Sequence, residues 1–139
     1  MTNQALTGTP TSRRFALCPS TIVAGQPVFL GSIPAVALDN YQANVGGTTF
    51  LIGGSFFLTV IGQTAESPQT GHQINLGDKI YGNNLATDPT TNVTTIGALD
   101  INTAGNFFGY LDPDASVNAG PILSTVTNTA AAVLLPNGA

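Results

Sequence analysis

Charge is what this sequence has least of. Only 7% of its 139 residues are Asp, Glu, Lys or Arg, against roughly a quarter in an ordinary globular chain. Interfaces dominated by ion pairs are therefore excluded, and little repulsion keeps copies apart, which suits a protein that lives in an assembly. One cysteine, Cys18, excludes an intramolecular disulfide and any multi-cysteine metal centre. A lone cysteine of this kind reads as a small buried apolar residue. One histidine, His72, sits among Gly, Gln and Thr and reads as a solvated loop residue rather than a base. No G-x-S-x-G or related setting surrounds any serine. Glu66 is the only glutamate, which weakens a paired-carboxylate glycosidase. The longest apolar runs, such as residues 56–61, are much too short to span a bilayer. Residues 1–10 are polar with no apolar core, so no signal peptide is expected and the protein should be soluble and made in a cytoplasm.

The charge that exists is unevenly placed. Arg13 and Arg14 lie in the first seventeen residues, which hold no acid, while Lys79 stands alone against all seven acids in the remainder. The net charge of −4 argues against nucleic acid as a partner. A basic arm on an acidic body can dock on a neighbour's body, with a solvated tail as the plainer alternative. Adjacent residues in an extended chain point to opposite sides, so Arg13 and Arg14 can meet two different partners.

Polarity comes from Thr, Asn, Ser, Gln and Gly, a β-rich composition in which Thr suits strands and Asn and Gly suit turns. The expected fold is all-β: a small β-barrel or β-sandwich with an extended N-terminal arm. Residues 1–18 are read as that arm plus a first short strand, and residues 19–139 as a single domain. Strands are expected over residues 13–18, 27–31, 35–38, 48–52, 55–61, 79–81, 93–101, 106–111, 122–126 and 130–135. The pair 48–52 and 55–61, separated by Gly53-Gly54, reads as the clearest hairpin. Residues 93–101 read as one strand with a bulge near Gly97. Residues 62–73 and 82–92 read as long polar loops.

The strand at residues 55–61 is apolar on both faces. Phe56, Leu58 and Val60 share one, and Phe57, Thr59 and Ile61 the other, so one face should meet the core and the other a neighbouring protein. The corner Gly77-Asp78-Lys79-Ile80-Tyr81 is the expected organiser of the body. Gly77 supplies φ > 0, Asp78 bonds its own backbone two residues on, Ile80 enters the core and Tyr81 faces the opposite way.

The remaining motifs carry no chemistry. Neither glycine pair leads into a helix with Lys-Ser/Thr, so there is no phosphate loop. Asp112-Pro113-Asp114-Ala115-Ser116 spaces oxygens like a calcium loop, but Val117 and Leu123 stand where that loop needs Gly and Glu, and an Asp-Pro turn is the simpler reading. No enzymatic signature, cofactor or metal site is expected.

The order of elements over roughly four-fifths of the chain resembles a known family. The resemblance rests on Gly31-Ser32-Ile33-Pro34-Ala35-Val36-Ala37, on the run GTTFLIGGSFFL from Gly47 to Leu58, and on Ile74 to Tyr81 with its Gly-Asp-x-apolar-Tyr. It extends to Phe108-Gly109-Tyr110 and Ala132-Val133-Leu134-Leu135. On these motifs the chain is similar to the small phage head decoration proteins, also called capsid cement or capsid-stabilising proteins. It departs from them in carrying Gly82-Asn83 after the Tyr and Ala35 in place of a Gly. The resemblance implies a structural virion protein with no enzymatic activity. Such a protein forms a homotrimer on the outer surface of an icosahedral bacteriophage head and cements adjacent major capsid protein subunits against internal DNA pressure. Arg13, Arg14, Phe57, Thr59 and Ile61 are the candidate contact residues. A carbohydrate- or receptor-binding module of a phage tail or fibre is the alternative. Such sites usually display aromatic platforms, and this chain has no Trp and three Tyr.

Overall fold

The computed structural model describes residues 13–61, 73–122 and 129–136. The fold is all-β: these residues form eleven strands in two antiparallel sheets, contain no helix, and neither sheet closes into a barrel. The strands are β1 (Arg13–Leu17), β2 (Pro27–Leu30), β3 (Ile33–Ala37), β4 (Gly47–Leu51), β5 (Ser55–Val60), β6 (Lys79–Asn83), β7 (Ala86–Thr87), β8 (Val93–Thr95), β9 (Ala98–Asp100), β10 (Asn106–Leu111) and β11 (Thr129–Leu134). The chain divides into two compact units, one built from Met1–Gly54, Ala86–Thr95 and Asn137–Ala139, the other from Ser55–Leu85 and Ile96–Pro136. The twelve residues before β1 lie outside the described residues, as do His72 and Glu66.

The first unit holds the sheet ordered β1-β4-β3-β2-β8-β7. Cross-strand partners share a face, and here they are Val28 with Ala35, Ala37 with Phe50, and Leu30 with Val93. These side chains cluster with Cys18 and Ile22, and Ala16, Tyr41 and Ile52 pack against them. The two long turns are tied down by backbone bonds from Tyr41 N–H to Ile22 O (3.0 Å) and from Ala37 N–H to Gln26 O (2.9 Å). A fully buried Phe such as Phe50 contributes about 1.5–3 kcal/mol. Cys18 belongs to this core, and burial pushes its thiol up from the ordinary value, so it stays protonated at neutral pH. Gly47 is required where β1 meets β4, because a Cβ there would run into the backbone oxygen of Ala16.

The second unit holds the sheet ordered β5-β11-β10-β6-β9. Its two edge strands meet at one corner, where Ile61 N–H donates to Leu99 O (2.9 Å). The register puts Phe56, Leu58, Val60, Ile80, Leu99, Leu111, Ala131 and Val133 on one face, and all but the half-buried Phe56 are buried. Phe108 sits in a bulge where the β10–β6 register shifts between Phe107 and Gly109, and it is fully buried.

Three sequence expectations change. The apolar runs around Gly53-Gly54 do not form a hairpin: β4 pairs with β1 and β3, while β5 pairs with β11 over six residues. Gly54, at φ 102°, lets the chain leave the first sheet instead of folding back along it. The stretch 93–101 is two strands, β8 and β9, in different sheets, broken at Ile96-Gly97. A Cβ on Gly97 would lie 2.7 Å from Asn84 Cβ, so the crossing is as tight as a glycine allows. Residues 82–92 are not all loop either, since β6 runs on to Asn83 and β7 follows. Of the expected closing strand at residues 122–126, Ile122 makes an isolated bridge to Ile74, and 123–128 fall outside the described residues.

The corner before β6 is built locally. Gly77 has φ 87° and donates its N–H to Leu111 O (2.8 Å). The Asp78 carboxylate accepts from Asn75 N–H (2.8 Å), reaching back three residues rather than forward. No atom lies within 4 Å of a Cβ placed on Gly77, so a substitution there meets backbone strain alone. Gly77→Val is expected to lower stability by about 1–3 kcal/mol. A thermal melt equal to the parent's would show that the corner tolerates φ > 0 with any side chain.

Candidate protein-contact surfaces

Two surfaces carry the sequence-predicted contact residues, one on each unit. On the second unit, the face of the sheet opposite the buried one is built in cross-strand rows. Ser55, Leu134, Tyr110 and Lys79 form one row, Phe57 and Ala132 the next, and Thr59 and Ala130 a third. A further row is Phe107, Tyr81 and Asp100. Phe57 is 66% exposed, the most of any large apolar side chain described, and Thr59 and Ala130 beside it are exposed as well. Ile61 follows the end of β5, is half-buried, and donates its backbone N–H to Leu99 O. The exposed strip is therefore carried by Phe57 and Thr59, and no charged side chain lies on β5 or β11.

Tyr81 has company that sequence reasoning missed. Its ring is 6.1 Å edge-on from Phe107, which in turn is 5.2 Å edge-on from Tyr110, and Lys79 Nζ stands 5.6 Å above the Phe107 ring. Edge-to-face pairs of this kind are worth about 0.5–1.5 kcal/mol beyond burial. Phe107 and Tyr110 are three apart, and strict alternation would place them on opposite faces. The bulge at Phe108 brings them to the same one, with Gly109 as its sole sequence signal. A Cβ on Gly109 would lie 2.5 Å from Leu134 O, so glycine is also what allows β10 and β11 to approach.

On the first unit, Arg13 and Arg14 open β1, which among the described residues pairs with β4 alone. Phe15 and Leu17 on the same strand are each 56% exposed.

The turn after β10 uses its carboxylates internally. Asp112 Oδ2 accepts from Ser55 Oγ (2.6 Å) and Oδ1 from Asp114 N–H (3.0 Å). Asp114 Oδ1 accepts from both Ser116 N–H (2.9 Å) and Ser116 Oγ (2.8 Å). Among the described residues no cluster of three or more His, Cys, Asp or Glu could hold a metal ion. The Ser116 backbone N–H, and then its hydroxyl, hold Asp114 below the ordinary carboxylate value. With a depressed folded value, this carboxylate supports the turn above its unfolded pKa and loses that role as pH falls through the folded one. Ser116→Ala should raise the Asp114 midpoint toward the ordinary value, read by NMR titration of the carboxyl carbon. An unmoved midpoint would exclude the hydroxyl contribution.

No protein-family model matches the chain, and neither a curated protein nor a solved structure matches it.

Proposed function

We propose that this is a structural virion protein that binds the outer surface of an icosahedral phage head as a homotrimer and cements adjacent major capsid protein subunits. The observation that carries the reading is the uncharged strip of β5 and β11, where Phe57 stands 66% exposed beside the exposed Thr59 and Ala130. A large aromatic side chain left in water on an uncharged strip supports a protein–protein contact there, since such anchors carry much of the energy of an interface. Identical weak contacts multiply in effect when several are linked in one oligomer, and a shell under internal pressure gains from clamps that span its seams. The motifs shared with head decoration proteins supply the choice of partner.

The test is cosedimentation of purified protein with undecorated heads, alongside light scattering for the oligomer. Phe57→Asp is expected to weaken head binding or trimer assembly by about tenfold or more, with circular dichroism unchanged because the side chain faces outward. Oligomer mass should be nearly independent of salt, since apolar contacts are not screened. Undiminished head binding and an intact trimer in this variant would remove Phe57 from the interface.

The cluster of Tyr81, Phe107 and Tyr110 favours a second reading, a glycan-binding module of a phage tail or fibre. Tyr81→Ala and Tyr110→Ala should then abolish retention on immobilised host polysaccharide while leaving head binding untouched. In the capsid reading, polysaccharide retention is absent from the parent.

A further inference from the structure

β11 changes its neighbour halfway along. β10 pairs with it at Tyr110 and Leu111, and Asp112 N–H then donates to Ala132 O (2.9 Å). Past Asp112 the side-chain amide of Asn118 takes the place of a strand. Its Oδ1 accepts from Ala132 N–H (3.0 Å) and its Nδ2 donates to Ala132 O (2.9 Å). A carboxamide therefore completes the sheet at this rung.

The next rung faces a cavity. Antiparallel ladders alternate, so Ala130 turns its N–H and C=O to the same side as Ala132, while Thr129, Ala131 and Val133 turn theirs to β5. Two residues along a strand is about 7 Å, so the Ala130 groups lie one rung beyond the Asn118 amide. On that side is a cavity of about 390 Å³ lined by residues 117–122 and 129–131. Small-ligand sites span about 300–1,000 Å³. The lining holds no charged side chain; Val117, Pro121 and Ile122 supply apolar surface and Thr129 a hydroxyl. No atom lies within 4 Å of a Cβ placed on Gly120, so the space at that wall is open.

We infer that this cavity binds an extended, uncharged segment of a partner protein, one of whose residues bonds Ala130 through its main chain as the Asn118 amide bonds Ala132. The C=O of that residue accepts from Ala130 N–H, and its N–H donates to Ala130 O. Main-chain bonds of this kind give affinity, and the neighbouring side chains give selectivity. A charge on the segment would lose water here without meeting a counter-charge, so the bound residues are neutral and small. The segment comes from another protein because every described strand of this chain already belongs to one of the two sheets. The inference does not rest on the capsid reading.

Two measurements on the full chain test it. In hydrogen exchange of the protein alone, Ala130 N–H should exchange about tenfold or more faster than Ala132 N–H, since only the latter is bonded to Asn118. Equal protection would mean that the chain closes this rung itself, and overturns the inference. In an NMR titration with a capped Ala-Val-Ala peptide, the Ala130 amide resonance should shift and saturate. The fully N-methylated peptide has no N–H to donate and should bind about tenfold or more weakly. Ala130→Pro removes the N–H facing the cavity, leaves the bonds to β5, and should abolish binding. Should that variant fail to fold, Val117→Asp serves instead, because Val117 is 37% exposed, and should weaken binding about tenfold. No shift at Ala130, equal binding of the N-methylated peptide, or undiminished binding by Val117→Asp overturns the inference. So does an Ala130 exchange rate that falls as protein concentration rises, which would give the rung to a second copy.

Discussion

Asn118→Leu is expected to cost about 2–5 kcal/mol of unfolding free energy, although it keeps the size of the side chain and loses no charge. Asn118 is buried and its amide stands in for a strand residue. Its Oδ1 accepts from Ala132 N–H (3.0 Å), and its Nδ2 donates to Ala132 O and to Asp112 O (2.9 Å each). Ala132 O keeps a second donor, Asp112 N–H at 2.9 Å, but Ala132 N–H and Asp112 O have no replacement among the described bonds. Two buried backbone groups are thus orphaned, each at about 1–3 kcal/mol. Asn118→Asp retains the acceptor for Ala132 N–H and should fall between parent and Leu. Urea denaturation of the three chains decides it. A Leu variant within error of the parent would show that water replaces the amide at no cost.

Ile80→Ala is expected to cost about 2–5 kcal/mol. Ile80 is fully buried, and its partner across the ladder is Gly109, which has no side chain to relax into the space. Val133 already leans over that glycine, its Cγ1 lying 3.2 Å from where a Gly109 Cβ would stand. The site therefore collapses poorly, which favours the upper half of the range. Ile80→Val should cost about 0.5–1.5 kcal/mol, and the ratio of the two losses measures the cavity. Loss of less than 1 kcal/mol for the Ala variant would mean that the sheet closes over the gap.

Strand content was legible because the runs of Val, Ile, Phe and Thr are short and bounded by glycine, and β10 in particular lies where the sequence places it. Partner choice was not. Gly53-Gly54 between two apolar runs is the same local signal whether the chain folds back or crosses to another sheet. What decides it is β11, a strand some seventy residues away that offers β5 six matched positions. Ile96-Gly97 misleads in the opposite sense, since one extended stretch serves two sheets. Of the expected contact residues, the exposure of Phe57 and Thr59 follows from two-residue alternation. Tyr110 joins Phe107 and Tyr81 only through a bulge, which breaks that alternation. Asn118 had no signal at all, because a buried amide replacing backbone looks like any polar loop residue.

The pairing of β5 with β11 also sets an order of events during synthesis. β5 is made before half of the chain exists, yet its only ladder partner among the described residues is β11, the last strand. Until β11 emerges from the ribosome, Phe56 to Val60 wait as an unpaired apolar strand, the kind of segment that aggregates or recruits chaperones. Distant pairings of this kind fold slowly because loop closure precedes any gain from contact. Truncation upstream of residue 129 should therefore leave an insoluble nascent chain rather than a smaller folded one, and yield on expression should depend on temperature and chaperone supply more than on the stability of the finished fold.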